Sequence, residues 1–218
     1  MILIGHYDSP FVRRVAIALR LYDMPFEHRA WSVFGDAEKI AAFNPLRRVP
    51  TLVLDDGDVL IESAAILEAL DEIAGEARAL VPRRGAVRRR LLKVCALGAG
   101  MADKAVSLVY ERVLHERATP MWIERCRSQM SSVLDVLEAD RAAGAGPWWL
   151  GEALTHADIM IACALRFVSE AHPDVFDLAA WPALKAHSAA CEAMAVFQAF
   201  QQPFFVSAPA PAPAPAQA

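Results

Sequence analysis

The run from Asn44 to Ser63 constrains the fold of this chain more than any other segment. Val49-Pro50 stands directly before an apolar stretch that is typical of a strand, and Asp55-Asp56-Gly57 forms a tight turn to a second short strand. Glu62-Ser63 then opens a segment whose apolar residues have helical spacing. This arrangement suits a small peptide ligand, because Val49 can offer backbone hydrogen bonds and Glu62-Ser63 a charge and a helix N-terminus.

The segment before this run has the same alternation of strands and helices. Ser9-Pro10 is typical of a helix start, with Ser as the N-cap and Pro at the first helical position. The first 75 residues therefore have the order β-α-β-α-β-β-α. The predicted elements are a strand at 2–7, a helix from Pro10 to about Tyr22, a strand at 26–31, a short helix within 36–43, strands at 51–54 and 59–61, and a helix from Ser63 to about Ala74.

The remainder reads as helical up to an Ala-Pro tail. We predict a domain at 1–76, a linker at 77–85, an all-helical domain at 86–206 and an extended, polyproline-like tail at 207–218. The long first helix of the second domain should turn Leu91, Leu92 and Cys95 mostly inward. The predicted helices are 88–116, 120–142, 155–171 and 182–194, followed by a short apolar end piece at 197–205.

Composition excludes several classes of protein. No apolar run approaches the roughly 20 residues that a membrane span needs. The net charge of −4 speaks against nucleic acid as a partner. Four widely spaced cysteines form no metal-ligand pattern, so we expect reduced, mostly buried thiols and no metal site. Met1 leads straight into apolar residues without a secretory leader, and we expect a cytoplasmic protein.

The helical half carries one specific local signal, the segment Leu154-Thr155-His156-Ala157-Asp158-Ile159. Thr155 and Asp158 have the spacing of a capping box, and Leu154 and Ile159 that of a hydrophobic staple. We interpret this segment as structural rather than chemical.

The order strand, Val-Pro, strand, Asp-Gly, strand, Glu-Ser, helix resembles the glutathione site of the glutathione transferase family. The stretch Tyr7-Asp8-Ser9-Pro10-Phe11-Val12-Arg13-Arg14-Val15 is similar to that of serine-type members, the tau-like group and its bacterial relatives. The resemblance covers about residues 1–205. It implies a thioredoxin-like N-terminal domain, an all-α C-terminal domain and addition of the glutathione thiolate to a hydrophobic electrophile.

The resemblance makes Ser9 the catalytic residue, whose hydroxyl donates to the thiolate of glutathione, a co-substrate rather than a bound cofactor. Tyr7 is a competing hydroxyl, because other classes of the family use a tyrosine near the end of this strand. A serine at position 9 cannot form a mixed disulfide, which speaks against thiol exchange.

The resemblance also assigns the rest of the glutathione site. A cis Val49-Pro50 bond would let Val49 pair with the cysteinyl part, and Glu62 would pair the γ-glutamyl ammonium. Ser63, as a helix N-cap, would bind the γ-glutamyl carboxylate. Arg48 is the candidate for the glycyl carboxylate, with Lys39 and Arg47 as alternatives.

The second-substrate pocket is expected between the domains, with Tyr110, Trp122, Phe204 and Phe205 as candidate apolar walls. The resemblance also implies a homodimer. Arginines 83, 84 and 88–90 could then meet Glu68, Asp71 and Glu72 across a two-fold interface.

Other functions remain open at this point. One is a binding or regulatory module without turnover, and another is glutathione-dependent peroxide reduction, isomerisation or dehalogenation. The Ser-Ser-Cys stretch typical of the isomerase class of the family is absent, which weakens that branch.

Overall fold

The computed structural model describes residues 1–206 of the chain, and the predicted Ala-Pro tail lies outside them. Its N-terminal part holds a four-stranded sheet in the order β2-β1-β3-β4. Strand β1 pairs parallel with β2 and antiparallel with β3, and β3 pairs antiparallel with β4. The strands are β1 (Ile2–Ile4), β2 (Glu27–Arg29), β3 (Thr51–Val53) and β4 (Val59–Ile61).

Three helices accompany the sheet in the predicted β-α-β-α-β-β-α order, which is that of a thioredoxin-like domain. They are α1 (Pro10–Leu21), α2 (Ala37–Ala41) and α3 (Ser63–Ala74). Strands β1, β2 and β3 are shorter than predicted, with three residues each, and β4 has the predicted bounds.

The C-terminal part is all helical, as predicted. Its elements are α4 (Ala86–Leu114), α5 (Pro120–Ala142), α6 (His156–Ala171), a 3-10 turn (Leu178–Ala180), α7 (Pro182–Glu192) and α8 (Ala195–Gln198). The helical periodicity predicted that Leu92 faces inward. In the structure Leu92 is 42% exposed, whereas the adjacent Leu91 is fully buried. No helix among the described residues is long and apolar enough to cross a bilayer.

Helix α6 lies at the centre of the molecule and packs against both α1 and α4. Gly98 of α4 allows the close approach of these helices, because a Cβ there would lie 2.7 Å from Ile161 Cδ1. The capping box at the start of α6 is present as predicted, and Asp158 Oδ2 accepts the Thr155 N–H at 2.8 Å. Asp158 Oδ1 also accepts the Trp149 N–H at 2.6 Å, so one buried carboxylate joins the preceding loop to the helix.

All four cysteines are free thiols, as expected. Cys126, Cys163 and Cys191 are buried and Cys95 is half-buried. Burial raises the pKa of Cys95 to about 11 and that of Cys163 to about 12, so both stay protonated and unreactive near neutral pH.

The predicted contact between the arginines and an acidic face of α3 needs a correction. Asp71 is buried inside the chain, where Tyr22 Oη donates to its carboxylate and His156 Nε2 lies 3.0 Å from Oδ1. Arg88 pairs with Glu68 of its own chain at 2.8 Å. Tyr22 and His156 therefore satisfy the hydrogen-bonding capacity of the Asp71 carboxylate within the chain. Through these contacts Asp71 links the two halves of the protein.

We expect Asp158→Ala to lower the free energy of unfolding by about 2–4 kcal/mol, because it removes a helix cap and leaves buried N–H groups without acceptors. Asp177→Ala is the matched control, since Asp177 caps the exposed 3-10 turn through the Ala179 N–H. Urea unfolding measures both variants. Equal losses would contradict the central role of Asp158.

Candidate functional site

A cleft opens between the sheet domain and the helical domain and encloses about 170 Å³. One wall comes from the loop after β1 and the residues before β3, and the opposite wall comes from α4 and the C-terminal segment. Ser9, Arg48, Val49, Tyr110, Phe204 and Phe205 of the predicted site all line it.

Ser9 lies at the edge of this cleft as the N-cap of α1. Its Oγ accepts the Val12 N–H at 3.4 Å, a long contact that uses a lone pair of the hydroxyl. A serine hydroxyl has one proton and two lone pairs, so capping leaves the proton available to a group in the cleft. The partial positive charge of the helix N-terminus acts in the same place and favours an anion.

Tyr7, the competing hydroxyl, does not line this cleft. Its ring stacks on His28 with centroids 3.9 Å apart and meets Phe200 edge to face. Burial raises the pKa of Tyr7 to about 12, which makes its phenol a poorer acid. The phenol therefore belongs to a separate aromatic cluster.

Val49 lines the cleft and precedes Pro50 through a cis peptide bond, as the resemblance implied. Asn44, which sequence reasoning did not single out, shapes this loop from a buried position. Its Nδ2 donates to the Arg48 carbonyl at 2.9 Å, and its Oδ1 accepts the Leu46 N–H at 3.0 Å. An Asn before a Pro in a turn was the available signal.

The start of α3 differs from the prediction that Ser63 is the cap. Glu62 holds the cap position with a φ of 64°, and Ser63 is the first helical residue. Non-glycine residues rarely adopt a positive φ, and such backbone occurs preferentially at functional sites. Neither residue lines the cleft itself, so both lie beside it.

Ser63 has a different partner, the buried guanidinium of Arg14. Arg14 Nη2 donates to Ser63 Oγ at 2.6 Å and Nη1 to the sulfur of Met160 at 2.9 Å. Because Ser63 accepts from Arg14, its own hydroxyl proton remains free to donate to an anion. Burial lowers the pKa of Arg14. Sequence reasoning missed this residue because an arginine within an apolar helix pattern is usually interpreted as exposed to solvent.

Of the three candidate cations, Arg47 and Arg48 line the cleft and Lys39 does not. Arg48 lies 3.4 Å from Glu62 and 3.9 Å from Asp103 on α4, so it bridges the two walls. Lys39 pairs with Asp36 at 2.6 Å, and Arg47 pairs with Glu38 at 3.1 Å.

The apolar part of the cleft is aromatic. Tyr110 meets Phe34 edge to face at 5.5 Å, and Phe204 meets Phe167 in the same geometry at 5.3 Å. Trp122 does not line the cleft, because it packs on the helical core with Lys104 Nζ 5.5 Å from its ring centroid. Its inclusion in the pocket was wrong.

Arg13 holds the C-terminal segment in place, and sequence reasoning missed this role as well. It forms a two-pronged ion pair with Glu192 at 2.5 and 2.8 Å. Its remaining N–H groups donate to the carbonyls of Phe197 and Phe200 at 2.9 and 3.0 Å. The segment that carries Phe204 and Phe205 is thereby anchored to the helix that begins at Ser9.

Comparison with known proteins gives a consistent result. The family models for the glutathione S-transferase N-terminal and C-terminal domains match residues 3–78 and 120–190. The chain is 31% identical over 170 residues to the uncharacterized GST-like protein YibF of Escherichia coli (strain K12), covering 78% of this chain and 82% of that protein.

Two further proteins are similar over nearly their whole length. A probable maleylacetoacetate isomerase of Vibrio cholerae is 28% identical over 209 residues, covering 90% of this chain and 93% of the relative. The crystal structure of a glutathione S-transferase from Methylobacterium radiotolerans, in complex with glutathione sulfonate, superposes with a TM-score of 0.85 at 26% identity. That match covers 94% of this chain and 98% of the other.

We expect Arg13→Met to lower the free energy of unfolding by about 3–5 kcal/mol, because it removes one partner of a buried, hydrogen-bonded ion pair. The double variant Arg13→Met/Glu192→Met should lose less than the sum of the two single losses. Arg89→Ala on the exposed face of α4 is the control. Additive losses in denaturant unfolding would show that the pair is not coupled.

Proposed function

The chain belongs to the glutathione S-transferase family, and from this premise we propose that Ser9 activates the thiol of glutathione for attack on a hydrophobic electrophile. One observation carries the proposal. The Ser9 hydroxyl caps α1 through a lone pair and keeps its proton for the cleft.

The chemical need is to stabilise a thiolate. A free thiol with a pKa near 8.5 is ionised to only a few per cent at neutral pH, and the thiolate is the nucleophile. A hydroxyl hydrogen bond and a helix N-terminus both favour the charged form and lower the thiol pKa. Ser9 supplies both at one point of the cleft.

The backbone and side chains around Ser9 fit the three parts of glutathione. Val49 would exchange backbone hydrogen bonds with the cysteinyl unit in the manner of an antiparallel strand. Ser63, oriented by Arg14, would donate to the γ-glutamyl carboxylate, and Glu62 would pair with the ammonium. Arg48 would then exchange its distant contacts with Glu62 and Asp103 for the glycyl carboxylate.

The aromatic wall indicates the class of the second substrate. Tyr110, Phe34 and Phe204 offer ring faces and edges across the cleft from Ser9. Such a surface binds flat, apolar molecules, because aromatic rings pack favourably edge to face or offset. We therefore propose an aromatic or otherwise planar hydrophobic electrophile.

Isomerisation is the second candidate, and the similarity to the Vibrio cholerae isomerase favours it. In that reaction the thiolate adds to the substrate and leaves again, so glutathione is not consumed. The stretch Ser9-Pro10-Phe11 lacks the serine-serine-cysteine signature of the isomerase class. Measuring glutathione consumption against product formation separates the two reactions.

We also propose that the protein works in the cytoplasm as a homodimer that conjugates toxic electrophiles. Four free thiols suit a reducing compartment. Ile73 on α3 and Val87 and Leu92 on α4 are exposed apolar side chains on neighbouring elements, and a second copy could cover them. Sedimentation equilibrium measures the dimer directly, and a monomer at all concentrations would exclude it.

We expect Ser9→Ala to lower turnover by about 100-fold or more, since it removes the proposed side-chain donor to the thiolate while the other contacts remain. The dissociation constant of glutathione should change by less than about threefold. The measurements are ultraviolet difference spectra of bound glutathione against pH and steady-state turnover. Ser107→Ala, an exposed helical serine bonded to the Asp103 carbonyl, is the control.

Either of two results would contradict this assignment. One is turnover in Ser9→Ala equal to that of the wild type. The other is a thiolate signal whose apparent pKa is the same in both proteins. Loss of the N-cap costs about 1 kcal/mol of stability, so thermal unfolding of the variant must be measured alongside.

Arg48→Ala should raise the dissociation constant of glutathione about tenfold, which is the usual effect of losing one charge-assisted hydrogen bond. Lys39→Ala is the matched control, because Lys39 stays paired with Asp36 outside the cleft. Isothermal titration calorimetry measures both. Equal affinities in the two variants would remove Arg48 from the site.

A further inference from the structure

The amide side chain of Gln202 joins the C-terminal wall of the cleft, defined here as residues 199–206, to the loop after β1 by two hydrogen bonds. Gln202 Oε1 accepts the Tyr7 N–H at 3.0 Å. Gln202 Nε2 lies 3.0 Å from His6 Nδ1. His6 and Tyr7 directly precede the Asp8-Ser9 step at the start of α1, so this contact couples the wall to the proposed catalytic loop.

The backbone sets the orientation of this amide. The Tyr7 N–H can only donate, so the Gln202 atom facing it must be the oxygen. The NH₂ group therefore faces His6 and donates to Nδ1, which must carry a lone pair. A neutral His6 with its proton on Nε2 satisfies this geometry. A doubly protonated imidazole would set two donors against each other.

Gln202 determines the position of the aromatic wall that follows it. Phe205 packs edge to face on the His6 ring at 5.3 Å. The Phe204 N–H donates to Glu170 Oε2 of α6 at 2.7 Å, and its ring meets Phe167. Both phenylalanines line the cleft. Arg13 on α1 still holds the Phe200 carbonyl, so release of the Gln202 contact would loosen the wall beyond that anchor.

We propose that Gln202 is a positioning residue that closes the aromatic wall only while His6 is neutral. Protonation of His6 then opens the wall and weakens binding of the hydrophobic substrate, whereas glutathione binding at Val49 and Ser63 is little affected. The consequence for the electrophile rests on the function proposed above. The coupling between Gln202 and His6 stands independently of it.

Charged and titratable groups lie around His6 on several elements. Asp8 is on the same loop, Asp36 stands at the start of α2, and Glu170 of α6 accepts from the Phe204 N–H. On β2, His28 lies under the Tyr7 ring, and the Arg29 guanidinium pairs with Glu27. On α1, the guanidinium of Arg13 is engaged by Glu192.

NMR spectroscopy of the Tyr7 and Phe204 amides and of the His6 imidazole tests the proposal directly. Hydrogen exchange at the Tyr7 and Phe204 amides, corrected for intrinsic rates, reports closure of the wall. Nitrogen-15 shifts of His6 report which ring nitrogen carries the proton. In the wild type we expect an unprotonated Nδ1 at neutral pH. Protection should fall by up to about tenfold per pH unit as histidine becomes protonated, since one proton is coupled to opening.

Two variants at position 202 make the test specific. Gln202→Ala should expose the Tyr7 amide at every pH and abolish the pH dependence of its protection. Gln202→Glu keeps an acceptor for the Tyr7 N–H and places a second acceptor opposite Nδ1, which either the neutral Nδ1–H tautomer or the imidazolium of His6 satisfies. The loss of protection at acidic pH should therefore disappear in this variant. Gln198→Glu on α8 adds the same charge outside the wall and is the control.

In turnover assays with 1-chloro-2,4-dinitrobenzene as the planar electrophile, the wild-type KM for that substrate should rise at acidic pH, and Gln202→Glu should not show this rise. The glutathione KM should follow neither change. A Gln202→Glu exchange profile equal to that of the wild type, or a Tyr7 amide still protected in Gln202→Ala, would overturn the proposal. Absence of turnover in all proteins would contradict the proposed function and leave the NMR result to decide this inference.

Discussion

The ion pair between Arg13 on α1 and Glu192 at the end of α7 is the interaction on which the cleft depends. Arg13 also binds the carbonyls of Phe197 and Phe200, so one buried side chain holds the C-terminal segment against the helix that begins at Ser9. A buried charge persists only where its hydrogen-bonding capacity is satisfied. The Ser9 hydroxyl and the aromatic wall therefore lie close together, because the guanidinium of α1 finds its hydrogen-bond acceptors in the C-terminal part of the chain.

A second polar cluster joins the halves at the other end of α1. Asp71 of α3 binds Tyr22 Oη and His156 Nε2, and the Leu80 N–H also donates to it at 3.2 Å. Burial disfavours the charged carboxylate, but the hydrogen bond and charge of His156 outweigh it and lower the pKa of Asp71. Helix α1 is thus held by polar contacts near both of its ends.

Much of the fold and part of the site could be predicted from local patterns. The β-α-β-α-β-β-α order, the Ser9 cap and the capping box at Thr155 each depend on residues within a few positions of one another. The errors lie where distant residues compete for a side chain. Ser63 accepts from Arg14 instead of capping α3, and Asp71 is satisfied by His156 instead of being available to arginines of a second copy. Trp122 and Tyr110 read alike in a helical pattern, and only packing separates core from cleft.

The sequence by itself determined the family resemblance, the position of Ser9 at a helix start and the Val49-Pro50 step, because each of these features depends on residues that are close together along the chain. Tertiary structure alone decided that Tyr7 belongs to a separate aromatic cluster, that Arg14 stands behind Ser63 and that Gln202 meets His6. The contact of Arg14 with Ser63 joins residues 49 positions apart, and that of Gln202 with His6 joins residues 196 positions apart. Their geometry is set by how the two halves pack around α6, and no local periodicity carries that information.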